Sequence, residues 1–403
     1  MANLIEVHIL QNFAPSNLNR DDTGSPKDAI FGGYRRARIS SQSLKRAMRE
    51  YVRDHPQGLT ADDLAVRTKQ VVGEVVELLA SKGRIETESQ PRVVAALGGV
   101  GLKFEHDQES DTYQAQYLLF MGRRELERLA ELIDEHWALL DLTAPEPGAA
   151  KATGRAGKQA ARKAVPKEVT DALKRVLDGG KAVDLALFGR MLADLPEKNQ
   201  DAACQVAHAL STHAVEREFD FYTAVDDVKD LDANADAGAG MLGTIEFNSA
   251  CFYRYVALDL AQLRKNLQGD DTLTLRGVEA FLRALAKAKP TGKQNSFAAH
   301  NDPAYIACTV RHDADPRNLA NAFERPVGKS EWTKNNQSDE GLTDTSVRRL
   351  EATWKKLDTA YGQTGATFTL NLTEINGEVG TAVPSLDVLI TETMAAVRGA
   401  LGV

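Results

Sequence analysis

Residues 4–53 read LIEVHILQNFAPSNLNRDDTGSPKDAIFGGYRRARISSQSLKRAMREYVR and join the pattern of a strand to that of a helix through a basic loop. Ile5, Val7 and Ile9 alternate with polar residues, which predicts a half-buried strand. Ser40 and Ser41 are both suitable N-caps for a helix whose apolar residues recur at helical spacing. With further strands and helices along the chain, this pattern predicts an α+β fold.

The loop and helix concentrate positive charge in an acidic protein. The chain has a formal net charge of −8, yet residues 20–49 hold eight Lys and Arg against three Asp. A helix N-terminus offers unpaired N–H groups, and Gly32 and Gly33 allow a phosphate to approach the backbone. We therefore predict binding to consecutive phosphates; the alternative is a solvated basic face. The cations are Arg20, Lys27, Arg35, Arg36, Arg38, Lys45, Arg46 and Arg49.

Beyond residue 58 the pattern becomes helical. Residues 59–182 are predicted to form an inserted helical domain, in which the Ala-, Gly- and Lys-rich segment 144–167 resembles a flexible linker. Later alternating apolar runs predict strands, and longer periodic runs predict helices. The predicted strands are 183–189, 243–258, 305–310 and 366–372, and the predicted helices are 273–289, 343–361 and 385–401.

The sequence contains little that indicates catalysis. His208 and His213 are five positions apart, which does not place them on one helical face as a metal pair requires. The adjacent acids at 21–22 and 226–227 and the glycine cluster at 97–101 are better explained as loops and turns. We expect no catalytic residues, no metal and no cofactor.

The cysteines and the hydropathy bear on the cellular compartment. Cys204, Cys251 and Cys308 are far apart and odd in number, so we expect buried thiols and no disulfide framework. No run of about 18 apolar residues occurs, and the first residues lead directly into a strand pattern. These features predict a cytoplasmic protein without a membrane span or a signal peptide.

The stretch FDFYTAVDD, residues 219–227, leads into a loop rich in Ala, Asp and Gly. Phe219 and Phe221 either face the core from an ordinary strand or lie on a projecting hairpin whose apolar tip contacts bases. Base stacking on aromatic rings tolerates any sequence. The spacing alone favours the core strand.

Several stretches together resemble a known family. They are SNLNRDD, KDAIFGGYRRARISSQSLKRAMR, AVDD, LGTIEF, FYRY and NLANAFE, and they are similar to the CasC-type backbone subunit of type I-E CRISPR Cascade. The resemblance is dense over residues 1–53 and 204–260 and weak over 59–182.

The resemblance implies an RRM-like (ferredoxin-like) palm with a helical fingers insertion and a thumb β-hairpin. It assigns residues 1–58, 183–194 and 244–403 to the palm, 59–182 to the fingers and 195–243 to the thumb region. It further implies a non-catalytic subunit, several copies of which polymerise along a CRISPR RNA (crRNA).

The resemblance also implies roles for particular residues. For the crRNA backbone it adds Ser40 and Gln42 to the cations of the N-terminal stretch. Met191 and the hairpin residues Phe221, Tyr222, Thr223 and Leu242 are expected to displace one nucleotide per copy. Charge alone suggests a DNA-facing patch, which consists of Lys158, Arg162, Lys163 and Lys167.

The expected partners are crRNA, target DNA, further copies of the chain and the other Cascade subunits: the large, small, 5′-handle-capping and repeat-processing subunits, with a recruited helicase-nuclease. No membrane is expected to take part. Three alternatives stay open at this point: an RRM-like endoribonuclease, a general single-stranded RNA-binding protein that does not polymerise, and a purely structural oligomer, which would leave the basic N-terminal stretch unexplained.

Overall fold

A computed structural model describes residues 3–109, 111–140, 165–224, 241–328, 341–363 and 365–403. The chain divides into two compact units. Unit 1 comprises Met1–His55, Gln205–Leu260 and Val278–Val403, and unit 2 comprises Pro56–Cys204 and Ala261–Gly277. The predicted palm, fingers and thumb bounds stay a prediction; residues 183–194 lie in unit 2.

The described residues form strands and helices along the whole chain. The strands are β1 Leu4–Ser16, β2 Asp28–Phe31, β3 Tyr34–Ile39, β4 Ala65–Thr68, β5 Phe104–Asp107, β6 Thr112–Ala115, β7 Leu119–Gly122, β8 Cys204–Val206, β9 Ala209–Ser211, β10 Glu218–Ala224, β11 Met241–Asp259, β12 Tyr305–Arg311, β13 Ala366–Asn371 and β14 Thr381–Ala382. The helices are α1 Ser41–Asp54, α2 Val71–Ser81, α3 Glu86–Val100, α4 Arg123–Glu135, α5 Lys167–Val176, α6 Val183–Phe188, α7 Leu260–Asn266, α8 Asp271–Lys287, α9 Gln294–Phe297, α10 Leu342–Tyr361 and α11 Leu386–Leu401.

Unit 1 is built on one large sheet. Its strand order is β14-β13-β12-β1-β11-β9-β3-β2, and β8 and β10 also pair with β11. The central strand β1 is antiparallel to both neighbours, so that Leu4 lies opposite Asp259 on one side and Arg311 on the other. The first part of β11 pairs with β10 and the rest pairs with β1. One strand therefore runs from a hairpin into the middle of the sheet.

The prediction of a half-buried first strand is wrong, because β1 is buried on both faces. Ile5, Val7 and Ile9 are buried as expected, but Glu6 and His8 are buried too. Glu6 forms an ion pair with Arg311 and accepts a hydrogen bond from the Tyr255 hydroxyl (2.6 Å). The polar face of β1, which the sequence pattern predicts to be solvated, can therefore be buried because its side chains have polar partners inside the unit.

His8 gives the stability of the protein a dependence on pH. Its ring lies against Trp354, with centroids 4.5 Å apart, and its Nδ1 is 2.9 Å from the Tyr253 hydroxyl. Burial, with a smaller effect from Arg311, lowers the pKa of His8 to about 3. The unfolded chain therefore takes up a proton at about pH 6.5, well before the folded protein does.

We expect the free energy of unfolding to fall as the pH drops from about 6.5 towards 3, with a contribution from His8 of at most about 1.4 kcal/mol per pH unit. Urea denaturation at about pH 7 and about pH 5 measures the change. In His8→Phe this contribution disappears, while the carboxylates contribute as before. Equal pH slopes in the two proteins would contradict the prediction.

Helix α1 begins as predicted. The Ser40 side chain caps it by accepting from the Ser43 backbone N–H (3.3 Å). Leu44, Ala47, Met48 and Val52 form its buried stripe, so the opposite side of the helix lies at the surface of unit 1.

Unit 2 has a helical core with two small sheets. Helices α2, α3, α4 and α5 contribute most of its buried apolar side chains, and the sheets are the pairs β4–β7 and β5–β6. In its interior, Arg190 Nη1 contacts both carboxylate oxygens of Glu125, at 2.8 and 2.9 Å. Glu125 also accepts from the backbone N–H groups of Gly122 (2.8 Å) and Gly179 (2.7 Å).

Most of the later predicted elements are confirmed. Strands β11, β12 and β13 and helices α8, α10 and α11 occupy the predicted stretches. The strand predicted at 183–189 is wrong, because Val183–Phe188 is a helix; nearly every residue of this short apolar run is buried, so alternation could not distinguish strand from helix. The segment 144–164 lies outside the described residues.

Two smaller predictions can also be compared with the structure. All three cysteines are buried free thiols, as predicted, and burial raises the pKa of Cys251 to about 11. Within the described ranges, no helix combines the length and the apolar character that crossing a bilayer requires.

Candidate nucleic-acid interface

The loop between β1 and β2 folds back onto the start of α1. The Ser40 backbone N–H donates to Asn19 Oδ1 (2.8 Å), and the Lys27 N–H donates to the Asn19 carbonyl (2.8 Å). The Arg38 N–H donates in turn to the Lys27 carbonyl (2.9 Å). These bonds place Lys27, Arg38 and the helix N-terminus at one surface.

Helix α1 adds further cations to this surface. Arg46 is exposed and pairs with Glu50 one turn later, at 2.8 Å. Lys45 and Arg49 are half-buried along the same helix, and Gln42 is exposed in its first turn. We call Arg20, Lys27, Arg38, Gln42, Lys45, Arg46 and Arg49 the basic surface. Ser40, which is buried and whose side chain caps α1, is not part of it.

Arg36 does not belong to the basic surface, and its burial rules out the predicted direct contact with RNA. Its side chain is fully buried. The guanidinium donates to three carbonyls: Ser211 (2.9 Å), Phe323 (2.7 Å) and Glu324 (3.0 Å). Burial lowers the pKa of Arg36 to about 10, so the side chain stays cationic at neutral pH and ties β3 to the Phe323–Glu324 segment.

The conformation of the turn between β2 and β3 explains why the turn contains two glycines. Gly32 and Gly33 both have positive φ, at 60° and 83°, as a two-residue hairpin turn between Phe31 and Tyr34 requires. A Cβ at Gly32 would overlap the backbone of Glu324, whereas the space at Gly33 is open. Close approach of a ligand is therefore possible at Gly33 only.

Asp28 joins the basic stretch to the second hairpin. It accepts from Arg35 and from Arg217 (2.9 Å), and Arg217 also pairs with Glu246 (3.1 Å). Burial raises the pKa of Asp28, but the hydrogen bonds from the two arginines outweigh it and hold the pKa below its usual range. Arg35 is exposed but engaged in this pairing.

His208 belongs beside the basic surface, although sequence reasoning considered it only as a metal ligand. Its Nδ1 lies 3.0 Å from Arg38 Nη1. Burial, followed by the charges of Arg38 and Lys27, lowers the pKa of His208. A neutral imidazole that accepts from Arg38 keeps the guanidinium oriented. The antiparallel pairing of β3 with β9 brings the two residues together, and no local sequence signal indicates it.

Strand β10 and the start of β11 form a hairpin, so the core-strand interpretation of FDFYTAVDD is wrong. Opposite pairs run from Glu218–Phe247 to Ala224–Met241. Phe219, Phe221 and Leu242 are 64%, 65% and 62% exposed. Because Phe221 lies opposite Thr244 and Thr223 opposite Leu242, these apolar side chains share one face of the hairpin.

Tyr222 and the acids Glu218 and Asp220 lie on the other face of this hairpin. Tyr222 is less exposed than Phe221 because its ring covers Gly243 across the hairpin. The segment 225–240, including Asp226 and Asp227, lies outside the described residues.

Met191 belongs to unit 2 and is 76% exposed. Its neighbours fix its position, since Arg190 is buried and the Leu192 N–H donates to Asn199 Oδ1 (2.6 Å). Of the predicted DNA-facing patch, only Lys167 is described; it is exposed at the first position of α5. Lys158, Arg162 and Lys163 lie outside the described residues, and the patch stays a prediction.

The acids of the N-terminal loop hold its conformation. Asp21 Oδ1 accepts from the Thr23 hydroxyl (2.7 Å), the Thr23 N–H (2.9 Å) and the Ser25 N–H (3.0 Å). The hydrogen bond from the Thr23 side chain is the main cause of a lowered pKa for Asp21. Over the described ranges, no group of three or more His, Cys, Asp or Glu is placed to hold a metal ion.

Two solved structures are similar to the chain over nearly its whole length. One is a chain of a "CRISPR RNA-guided surveillance complex, pre-nicking", with a TM-score of 0.80 and 30% identity, covering 98% of this chain and 99% of the other. A second, a chain of a "CRISPR RNA-guided surveillance complex", has a TM-score of 0.70 and 25% identity, with the same coverage. No protein with a curated description matches.

A family model also matches residues 5–392, which is almost the entire sequence. The match includes the basic stretch, the hairpin and the central strands of unit 1. The chain therefore belongs to the Cas family of CT1975-like proteins.

Proposed function

We propose that the protein is the backbone subunit of a type I-E CRISPR surveillance complex and holds crRNA by its phosphates without cleaving it. The observation that carries the proposal is the basic surface, on which a loop, a strand and a capped helix converge. The similarity to chains of CRISPR RNA-guided surveillance complexes supports it. We place this activity in the cytoplasm, with crRNA, target DNA and the other Cas subunits as partners.

We also propose that unit 1 contains an RRM-like palm. The order β12-β1-β11-β9, with α1 between β1 and β9 and α8 between β11 and β12, is that of a β-α-β-β-α-β unit. The thumb of this proposal is the β10–β11 hairpin.

A backbone subunit has to hold every guide, whatever its sequence. It therefore grips phosphates and sugars and leaves the base edges free for pairing with a target. If each copy binds the next head to tail, an interface that does not close on itself gives a helical filament along the RNA. The same basic surface then repeats once per copy.

The test of the proposal is a titration of the purified protein with single-stranded RNAs of unrelated sequence and increasing length, followed by fluorescence anisotropy. We expect equal affinity for all sequences and more copies on longer RNA. Affinity should fall with salt at a logarithmic slope of roughly −0.7 per phosphate contacted. Binding that depends on sequence, or that stays at one copy on long RNA, would contradict the proposal.

The apolar face of the hairpin should act on the guide–target duplex. In Phe221→Ser/Leu242→Ser we expect no loss of stability beyond about 0.5 kcal/mol, because both side chains are exposed. We expect that nucleotides of the guide are no longer unstacked at regular intervals. The fluorescence of 2-aminopurine, placed at successive guide positions, measures this unstacking. Leu372→Ser, at a similarly exposed apolar position in unit 1, is the control. Unchanged 2-aminopurine fluorescence in the double variant would show that the hairpin does not displace bases.

A further inference from the structure

A cleft of about 500 Å³ adjoins the basic surface in unit 1. Its walls are the loop from Leu18 to Gly24, one side of α1 and the segment Pro290–Gly292. This segment packs so closely on Leu18 that a Cβ at Gly292 would overlap the Leu18 carbonyl. The cleft is therefore fixed by backbone contacts, and it is large enough for part of a nucleotide.

The charge of the lining is opposite to that of its surroundings. Arg20 and Arg46 share the cleft with the acids Asp21, Asp22 and Glu50, which makes the lining net negative inside a mainly cationic surface. This net-negative lining is less favourable for a phosphate than the rest of the basic surface is, and it can accept a neutral hydroxyl group. The sugar between two phosphates therefore fits the cleft better than a phosphate does.

Two of the three acids are already engaged. Asp21 holds the loop through Thr23 and Ser25, and Glu50 accepts from Arg46 Nε (2.8 Å). Asp22 is exposed and has no hydrogen-bond or ion-pair partner within the described ranges. The cleft also contains hydrogen-bond donors, because Ser43 and Asn19 belong to its lining. Its polar groups thus match a hydroxyl, which both donates and accepts.

We propose that this cleft receives a ribose of the bound RNA, and that Asp22 accepts a hydrogen bond from the 2′-hydroxyl and so selects RNA over DNA. The inference rests on the proposed RNA binding. The 2′-hydroxyl is the group that distinguishes RNA from DNA at a given site. With DNA in the cleft, the Asp22 carboxylate lies near phosphates and gains no hydrogen bond from the sugar, so its charge disfavours DNA.

The experiment compares three short oligonucleotides of one sequence: RNA, DNA and 2′-O-methyl RNA. Short molecules are chosen because copies that assemble on one strand would multiply the effect of each site. For the unaltered protein we expect the order RNA, then 2′-O-methyl RNA and DNA. In Asp22→Ala the ratio of RNA to DNA affinity should fall about tenfold, in line with the loss of a hydrogen bond to a charged group. Affinity for DNA should stay equal or rise.

The matched control is Asp62→Ala, which removes the same charge from an exposed position outside the cleft. It should leave the ratio unchanged. Tight RNA binding with an unaltered ratio in Asp22→Ala would overturn this inference and leave the proposed function intact. Equal binding of RNA and its 2′-O-methyl form would also overturn it, because sugar shape would then be recognised in place of the hydroxyl. If no RNA binds at all, the proposed function fails and this inference fails with it.

Discussion

Reversing the charges of Lys45 and Arg49 is expected to lower the affinity for single-stranded RNA about 100-fold or more. Both residues lie on α1, one turn apart, in the basic surface. A hydrogen bond to a charged group contributes about 1.5–3 kcal/mol, and two lost contacts therefore amount to at least two orders of magnitude. Fluorescence anisotropy with Lys45→Glu/Arg49→Glu measures the change.

The salt dependence separates this effect from unfolding. Two phosphate contacts fewer should flatten the logarithmic salt slope by roughly 1.4. The control is Lys356→Glu/Arg398→Glu, which changes the same charge at exposed positions on α10 and α11 of the same unit. If the two double variants bind RNA equally well, the basic surface is only a solvated face.

Arg190→Met is expected to cost about 3–5 kcal/mol of the stability of unit 2. Arg190 and Glu125 have side-chain exposures of 1% and 0%. Without the arginine, a carboxylate would stay buried with only the N–H groups of Gly122 and Gly179 as donors. Urea denaturation, with hydrogen exchange of α4 as a local reporter, measures the loss.

A double-mutant cycle shows how much of this cost comes from the unpaired charge. Arg190→Met/Glu125→Gln removes both charges and should cost less than the sum of the two single changes. The comparison variant is Arg264→Met, whose pair with Asp271 is partly exposed and should contribute at most about 1 kcal/mol. Equal destabilisation by Arg190→Met and Arg264→Met would contradict the prediction.

The sequence predicts features that depend on neighbouring residues. The Ser40 cap and the buried stripe of α1 are local patterns, and both are found. The long apolar alternation of β11 is likewise a local signal. The helix at Val183–Phe188 was missed because six mostly buried residues satisfy either period.

Other features depend on pairings between distant parts of the chain. The charge of Arg36 predicts exposure, but carbonyls at Ser211, Phe323 and Glu324 surround its guanidinium. The cleft also needs Gly292 to meet Leu18. The position of the Arg36 guanidinium and that of the cleft both depend on residues that lie far apart in sequence, so no local pattern predicts them.

The pairing of β1 has a consequence for the order of events during synthesis. Leu4 needs both Asp259 and Arg311 as strand partners, so β1 gains its second partner strand only after about three hundred further residues have been synthesised. At about 5–20 residues per second this takes at least about fifteen seconds. All of unit 2, Pro56–Cys204 and Ala261–Gly277, is synthesised during that interval. Until β12 has been synthesised, β1 lacks one of its two partner strands, so we expect a chaperone to matter most in this period.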